Sequence, residues 1–169
     1  MTESATTDPV KPEPKTNLSD AALIAAAQAA RRHAHAPYSK FSVGAVIQTR
    51  DGRFYTGCNI ENASFGLTVC AERVALFKAL SEGERAFRAV VIAADAATPT
   101  PPCGACRQVL WEFCGDIRIV STNPQGVTGE WSLAALLPAA FDDQNLKPLD
   151  QTPAQAAETP APQSTSTQS

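Results

Sequence analysis

The chain has 169 residues, 44% of them hydrophobic and 18% charged, with 14 Lys and Arg against 17 Asp and Glu for a formal charge of −3. That length suits one ordinary domain with a real core, and the lack of any Lys/Arg run excludes a dedicated nucleic-acid binder. Apolar stretches such as 21–27 and 89–94 are far shorter than the roughly 18–20 residues of a membrane span, and residues 1–8 have neither the basic nor the apolar region expected of a secretory signal.

Along the chain, residues 1–17 and 143–169 hold seven of the thirteen prolines amid Thr, Ser, Gln, Ala and charge. Such segments bury too little surface to offset chain entropy, so they are predicted to be disordered tails. The folded domain is expected over 18–142, with 11 basic and 11 acidic side chains, which leaves the net charge in the tails. Within it, Ser19 is a plausible N-cap for an Ala-rich helix running to about Ala34, closed by Pro37. Val43–Thr49 and Phe54–Cys58 flank Asp51-Gly52, a strong hairpin signal. Cys70 to Leu80 has helical spacing, with Gly83 just beyond. Ala89–Ala94 reads as a buried strand, Ala105–Phe113 as a helix, and Ile117–Ser121 as a strand before the turn at 123–126. Val127–Trp131 is a last strand, and Leu133–Leu137 a short helix stopped by Pro138. The order α-β-β-α-β-α-β-β-α predicts an α/β fold in which helices pack on one mixed sheet.

Cys103-Gly-Ala-Cys106 is the chemically loudest feature. Cys-x-x-Cys at a helix start puts two sulfurs on one side of the first turn, spaced to grip a tetrahedral ion. Alone it also fits a redox pair or half of a structural zinc site. Cys70, at another predicted helix start, is a third candidate ligand. Helix N-termini stabilise thiolates there. Three Cys ligands leave the fourth position of a tetrahedral zinc open, as in catalytic sites. Glu72, two residues after Cys70, stands near such a metal without needing to bind it, as a general base does. Zinc with three thiolates sums to −1, so Arg73 and Arg107 are candidates to donate hydrogen bonds to the sulfurs; surface pairing is the alternative for both. The five cysteines fit a reducing cytoplasm, where such clusters bind metal or do chemistry more often than they pair.

Cys70-Ala71-Glu72 with Pro102-Cys103-Gly104-Ala105-Cys106 resembles the zinc deaminase signature. More narrowly, the chain resembles the small three-cysteine cytidine deaminases that act on free nucleosides. Pro37-Tyr-Ser-Lys-Phe41-Ser-Val-Gly-Ala45, Gly57-Cys-Asn59-Ile-Glu61-Asn-Ala63, Cys106-Arg-Gln-Val109 and Leu136-Leu-Pro-Ala-Ala-Phe141 follow that family's pattern in order, across essentially all of 18–142. The resemblance implies a three-layer α-β-α sandwich on a five-stranded mixed sheet. It implies one Zn²⁺ per chain on Cys70, Cys103 and Cys106, proton shuttling by Glu72, and Arg73 as a partner of the thiolates. Phe41 would stack near the pyrimidine, Asn59 and Glu61 would bind sugar hydroxyls, chiefly the 3′-hydroxyl, and the Ala71 N–H would meet the base carbonyl. Phe141 would close the pocket of a neighbouring subunit in a homotetramer. Phe65 departs from the pattern, standing where many members have Tyr.

The residues themselves support part of this picture. Asn59 and Glu61 project to one face at period two after a strand, although Asn and Glu more commonly make surface hydrogen bonds. Phe41 alone would be a core aromatic. His33 and His35 have no Cys or carboxylate at ligand spacing, and Cys58 and Cys114 are small buried thiols. The implied reaction is hydrolytic deamination of cytidine and 2′-deoxycytidine to uridine and 2′-deoxyuridine, a step of pyrimidine salvage. The alternatives are a deaminase of a modified nucleoside of the blasticidin type and a non-catalytic zinc or redox module. An editor of polynucleotides would need a charged groove, which a neutral domain does not offer.

Overall fold

The Ser19 hydroxyl accepts a hydrogen bond from the Ala22 N–H at 3.4 Å, with Asp20 in the turn that follows, a start worth about 1 kcal/mol of helix stability. In this computed structural model, which describes residues 18–147, helix α1 covers Asp20–Arg31, ending short of the expected Ala34. Long-range contacts draw off its last turn. The His33 carbonyl accepts from Cys58 Sγ at 3.3 Å, and His35 pairs with Ile60 in an isolated bridge.

The hairpin has β1 at Val43–Thr49 and β2 at Phe54–Cys58, as expected. It is followed by α2 (Ala71–Ser81), β3 (Phe87–Ala94), α3 (Gly104–Cys114), β4 (Arg118–Thr122), β5 (Thr128–Ser132) and the short α4 (Leu133–Leu136). Each lies within about two residues of its predicted span. The ordered chain also passes the expected domain edge at 142. Asp142 caps a 3-10 turn at Asp143–Leu146 by accepting from the Gln144 N–H, while Asn145 Oδ1 accepts from the Asp142 N–H. This reciprocal cap is a local device hidden within a polar composition. The remaining tail expectations, for 1–17 and 148–169, lie outside the described residues.

The five strands form one sheet in the order β2-β1-β3-β4-β5, with β3 and β4 parallel and the other neighbours antiparallel. Side chains alternate across it. Ala45, Ile47, Val90, Ile92 and Ile119 face α2 and α3, where Leu76, Leu110 and Leu133 complete the larger core. Val46, Val91, Ala93 and Val120 face α1, against Leu23 and Ala27. Helices therefore cover both faces, giving the expected three layers. Among the described residues no helix is long and apolar enough to cross a membrane.

Two glycines set how closely the helices approach. A Cβ on Gly44 would fall 2.1 Å from the Ala27 carbonyl oxygen, and one on Gly57 would fall 2.5 Å from both the Ala71 oxygen and the Ala75 nitrogen. The first turn of α2 thus rests directly on β2. The chain leaving β2 continues as 59–61, bridged to His35 on one side and Val69 on the other. That route brings Asn59 and Glu61 beside the start of α2.

Candidate active site

Two helix starts converge on one end of the sheet. Cys70 is the N-cap of α2 and Cys103 the N-cap of α3, and neither side chain caps its own helix. Cys106 lies one turn into α3 and is fully buried. The three sulfurs lie within 4.8 Å of one another, with Cys70 and Cys103 separated by 3.9 Å. Three thiolates around one tetrahedral zinc, at Zn–S of about 2.3 Å, stand about 3.8 Å apart. The donor set and its spacing therefore fit that ion. Cys58 and Cys114 lie outside the cluster; burial raises both thiols, Cys114 to about 12.

The two arginines next to ligand positions behave differently. Arg73 Nη2 donates to Cys70 Sγ at 3.6 Å and to the Thr68 carbonyl at 3.2 Å. Arg107, the other candidate sulfur partner, is committed elsewhere. Its Nε donates to the Pro102 carbonyl at 2.7 Å and its Nη1 to the Leu136 carbonyl at 2.9 Å. Docking of α4 beside α3 claims this guanidinium, a contact that the sequence alone does not reveal.

Electrostatics distinguish the acid-base groups. Hydrogen bonding from the Cys106 thiol, then from Arg73 and Cys103, lowers the Cys70 thiol to about 5, which localises negative charge on that sulfur. The same contact with Cys70, together with burial, pushes Cys106 up. Glu72 is 5% exposed, and burial raises its carboxyl to about 7, with the Cys70 charge adding to the effect. A carboxyl that titrates near neutrality beside a metal-ligand cluster is suited to both taking up and returning a proton.

Cys70, Cys103 and Glu72 border a cavity of about 220 Å³, with buried Cys106 behind them, and it is lined also by Phe41, Asn59, Glu61 and Ala71, all of them candidate substrate-binding residues from the sequence. Ser39, Val43, Thr68, Ile92, Thr100 and Pro101 line it too; nothing in their type or spacing singled them out. Asn59 is nearly buried and already partly committed: its Oδ1 accepts from the Val43 N–H and its Nδ2 donates to the Phe41 carbonyl, both at 2.8 Å. It therefore holds the loop that carries Phe41, while keeping one donor and one acceptor site in reserve. Glu61 accepts from the backbone of Tyr38 and Ser39 and from the Ser39 hydroxyl. Phe141 is not among the lining residues. It is 57% exposed, and its carbonyl accepts from Gln108 Nε2 at 2.7 Å. Phe65, also exposed, meets Tyr38 edge to face with ring centres 5.5 Å apart.

Comparison with known proteins agrees with this geometry. The sequence profile of the cytidine and deoxycytidylate deaminase zinc-binding region matches residues 18–122, which include all three sulfur ligands and Glu72. A cytidine deaminase of Sporosarcina psychrophila is 50% identical over 125 residues, covering 73% of this chain and 92% of that protein. A probable cytidine deaminase of Dictyostelium discoideum is 46% identical over 124 residues, covering 73% and 84%. Among solved structures, cytidine deaminase from Burkholderia pseudomallei superposes with a TM-score of 0.71 at 50% identity, covering 73% of this chain and all of that one. The Mycobacterium tuberculosis enzyme gives 0.64 at 38% identity, covering 74% and 98%. Profile, sequence and fold thus converge on the domain that holds the sulfur cluster, and the chain belongs to the cytidine and deoxycytidylate deaminase family of zinc-binding hydrolases.

Proposed function

We propose that the chain deaminates free cytidine and 2′-deoxycytidine by hydrolysis, giving uridine and 2′-deoxyuridine with release of ammonia. One observation carries this reading: buried Glu72 shares a cavity with Cys70 and Cys103 of the three-sulfur cluster and with Phe41, Asn59 and Glu61.

Cys70, Cys103 and Cys106 would hold zinc, which would supply a Lewis acid that makes water more acidic. Glu72 accepts a proton from the attacking water and delivers it to N3 of the pyrimidine, while the water oxygen adds to C4. As the C4–N bond breaks, Glu72 passes the second proton of the water to the departing amine. The two protons end on N3 of the product and on ammonia, which closes the balance. Phe41 offers a ring face to the base, and the Ala71 N–H, at the start of α2 on the cavity, donates to the base carbonyl in this reading. Asn59 and Glu61 receive the sugar hydroxyls. Arg73 withdraws charge from the Cys70 thiolate, which preserves the acidity of the metal.

The catalytic unit in this reading is 18–142, and no residue of 1–17 or 143–169 is given a role. The assembly is a homotetramer in which exposed Phe141 reaches a neighbour's pocket. Exposed Phe65, Leu67 and Tyr38 form apolar surface consistent with such burial. Five unpaired cysteines suit a reducing cytoplasm, and the reaction there is one of pyrimidine salvage. Loss of cytidine absorbance, measured together with zinc per chain and native mass, tests the proposal. Turnover with one zinc per chain in a tetramer is expected. A metal-free monomer with no turnover would overturn it, and faster turnover of blasticidin than of cytidine would move the substrate to the antibiotic class.

A further inference from the structure

The loop ahead of β1 is organised around one small side chain. The Ser39 hydroxyl donates to Glu61 Oε1 and accepts from the Phe41 N–H at 3.0 Å. The Tyr38 and Ser39 N–H groups donate to Glu61 Oε2 at 2.8 and 3.2 Å. Between Ser39 and Phe41, Lys40 takes φ +59°, the one positive value among the described non-glycine residues. That left-handed conformation costs a residue with a Cβ free energy, so the turn is held by its hydrogen bonds rather than by local preference.

A carboxylate has about four acceptor positions, two on each oxygen. Both positions on Glu61 Oε2 are occupied by backbone N–H groups, and one on Oε1 is taken by Ser39. One position on Oε1 remains, and Glu61 lines the cavity. The Ser39 hydroxyl therefore fixes which oxygen, and which lone pair, is presented to a ligand. The same hydroxyl anchors the amide of Phe41, the residue proposed to face the base.

We infer that Ser39 is a positioning residue for sugar recognition: acting through Glu61, it leaves one acceptor for one ligand hydroxyl and ties that acceptor to Phe41. This rests on the proposed nucleoside deamination and adds to it a residue that touches neither the metal nor the reacting carbon.

The test compares cytidine with 3′-deoxycytidine on the full-length, zinc-loaded protein and on Ser39→Ala and Ser39→Thr. Ser39→Ala is expected to raise KM for cytidine about tenfold with kcat changed by less than about twofold, because a charge-assisted hydrogen bond is lost on the binding side. Its kcat/KM for 3′-deoxycytidine should fall clearly less than that for cytidine, since that substrate has no hydroxyl for the acceptor to read and feels only the loosened Phe41 amide. Ser39→Thr keeps the donor and should keep the wild-type KM. Thermal unfolding of all three proteins should coincide within about 2 °C, as expected for an exposed site. Equal losses on both substrates, an unchanged KM for cytidine in Ser39→Ala, or a Thr variant as impaired as the Ala variant would each overturn the assignment. If the wild type does not deaminate cytidine, the functional reading fails first. If the wild type is active and Ser39→Ala keeps its KM, only the role of Ser39 fails.

Discussion

Arg73 Nη2 stands 3.6 Å from Cys70 Sγ, three residues back along the chain, and holds the Thr68 carbonyl at the same time. The guanidinium is thus fixed at a thiol whose pKa is lowered to about 5. Removing it as Arg73→Ala leaves three thiolates around a dication without this donor. Zinc affinity, measured by chelator competition, and kcat are each expected to fall about 10- to 100-fold. Arg73→Lys should recover only part of the loss, because an ammonium cannot serve the sulfur and the carbonyl with the same planar fork.

Glu72 has a different kind of consequence. Glu72→Gln keeps the volume and removes the proton carrier, so kcat is expected to fall by at least about 10³-fold, with zinc content and melting temperature retained. Near-wild-type kcat in this variant would falsify the proton-transfer role. The substitution also relieves the burial of an ionisable carboxyl, so any change in stability should be upward.

The hairpin carries a pH-dependent network remote from the cavity. Tyr55 donates to Glu84 Oε1 at 2.8 Å, and Arg53 pairs with both Glu84 and Asp51. Burial first, and then the hydrogen bond to Glu84, raise the Tyr55 hydroxyl to about 12. A folded-state pKa above the unfolded value gives stability that is complete below about pH 10 and lost as pH rises through about 12. Tyr55→Phe lacks the titration and should be less stable than the wild type by about 1–3 kcal/mol at neutral pH. Denaturant melts at increasing pH should show the gap between the two proteins closing from pH 10 to 12. A gap of constant size would remove Tyr55 from the network's energetics.

Close packing at Gly57 links the sheet to the chemistry. Gly57→Ala puts a Cβ 2.5 Å from backbone atoms of Ala71 and Ala75, and a main chain cannot rotate away as a side chain can. The first turn of α2 must lift, carrying Glu72 and Cys70 with it. A loss of about 1–3 kcal/mol in stability is expected together with a fall in kcat, measured by urea melts and by steady-state turnover. Gly83→Ala is the control: a Cβ there meets no neighbouring atom, so its cost should come from its positive φ and leave kcat intact.

Legibility in the sequence followed the range of the interactions. Ser19, Asp51-Gly52 and the Cys103–Cys106 step act within a few residues, and their elements appear at the expected positions. The zinc ligands were readable because Cys at two helix starts has few other uses. Where contacts cross the fold, local pattern was silent or misleading. Arg107 is held by the Leu136 carbonyl, α1 stops early because Cys58 and Ile60 engage the chain beyond it, and Ser39 acquires its partners only when the 38–41 loop docks on Glu61. Asn59 shows the mixed case: it lines the cavity, but half of its hydrogen-bonding capacity serves Phe41 and Val43.

Cys70 and Cys103 occupy N-cap positions without capping their helices, so an ion shared between them would hold both helix starts where Ser or Asp does so elsewhere. They lie 33 positions apart, and an ion bound to both closes that stretch of chain as a covalent cross-link would. By the chain-entropy measure used for disulfides, a closure of that size contributes roughly 3–4 kcal/mol. The metal is then a reversible staple between α2 and α3 as well as a reagent. Zinc supply would then set how much of the protein stays folded as well as how fast it works.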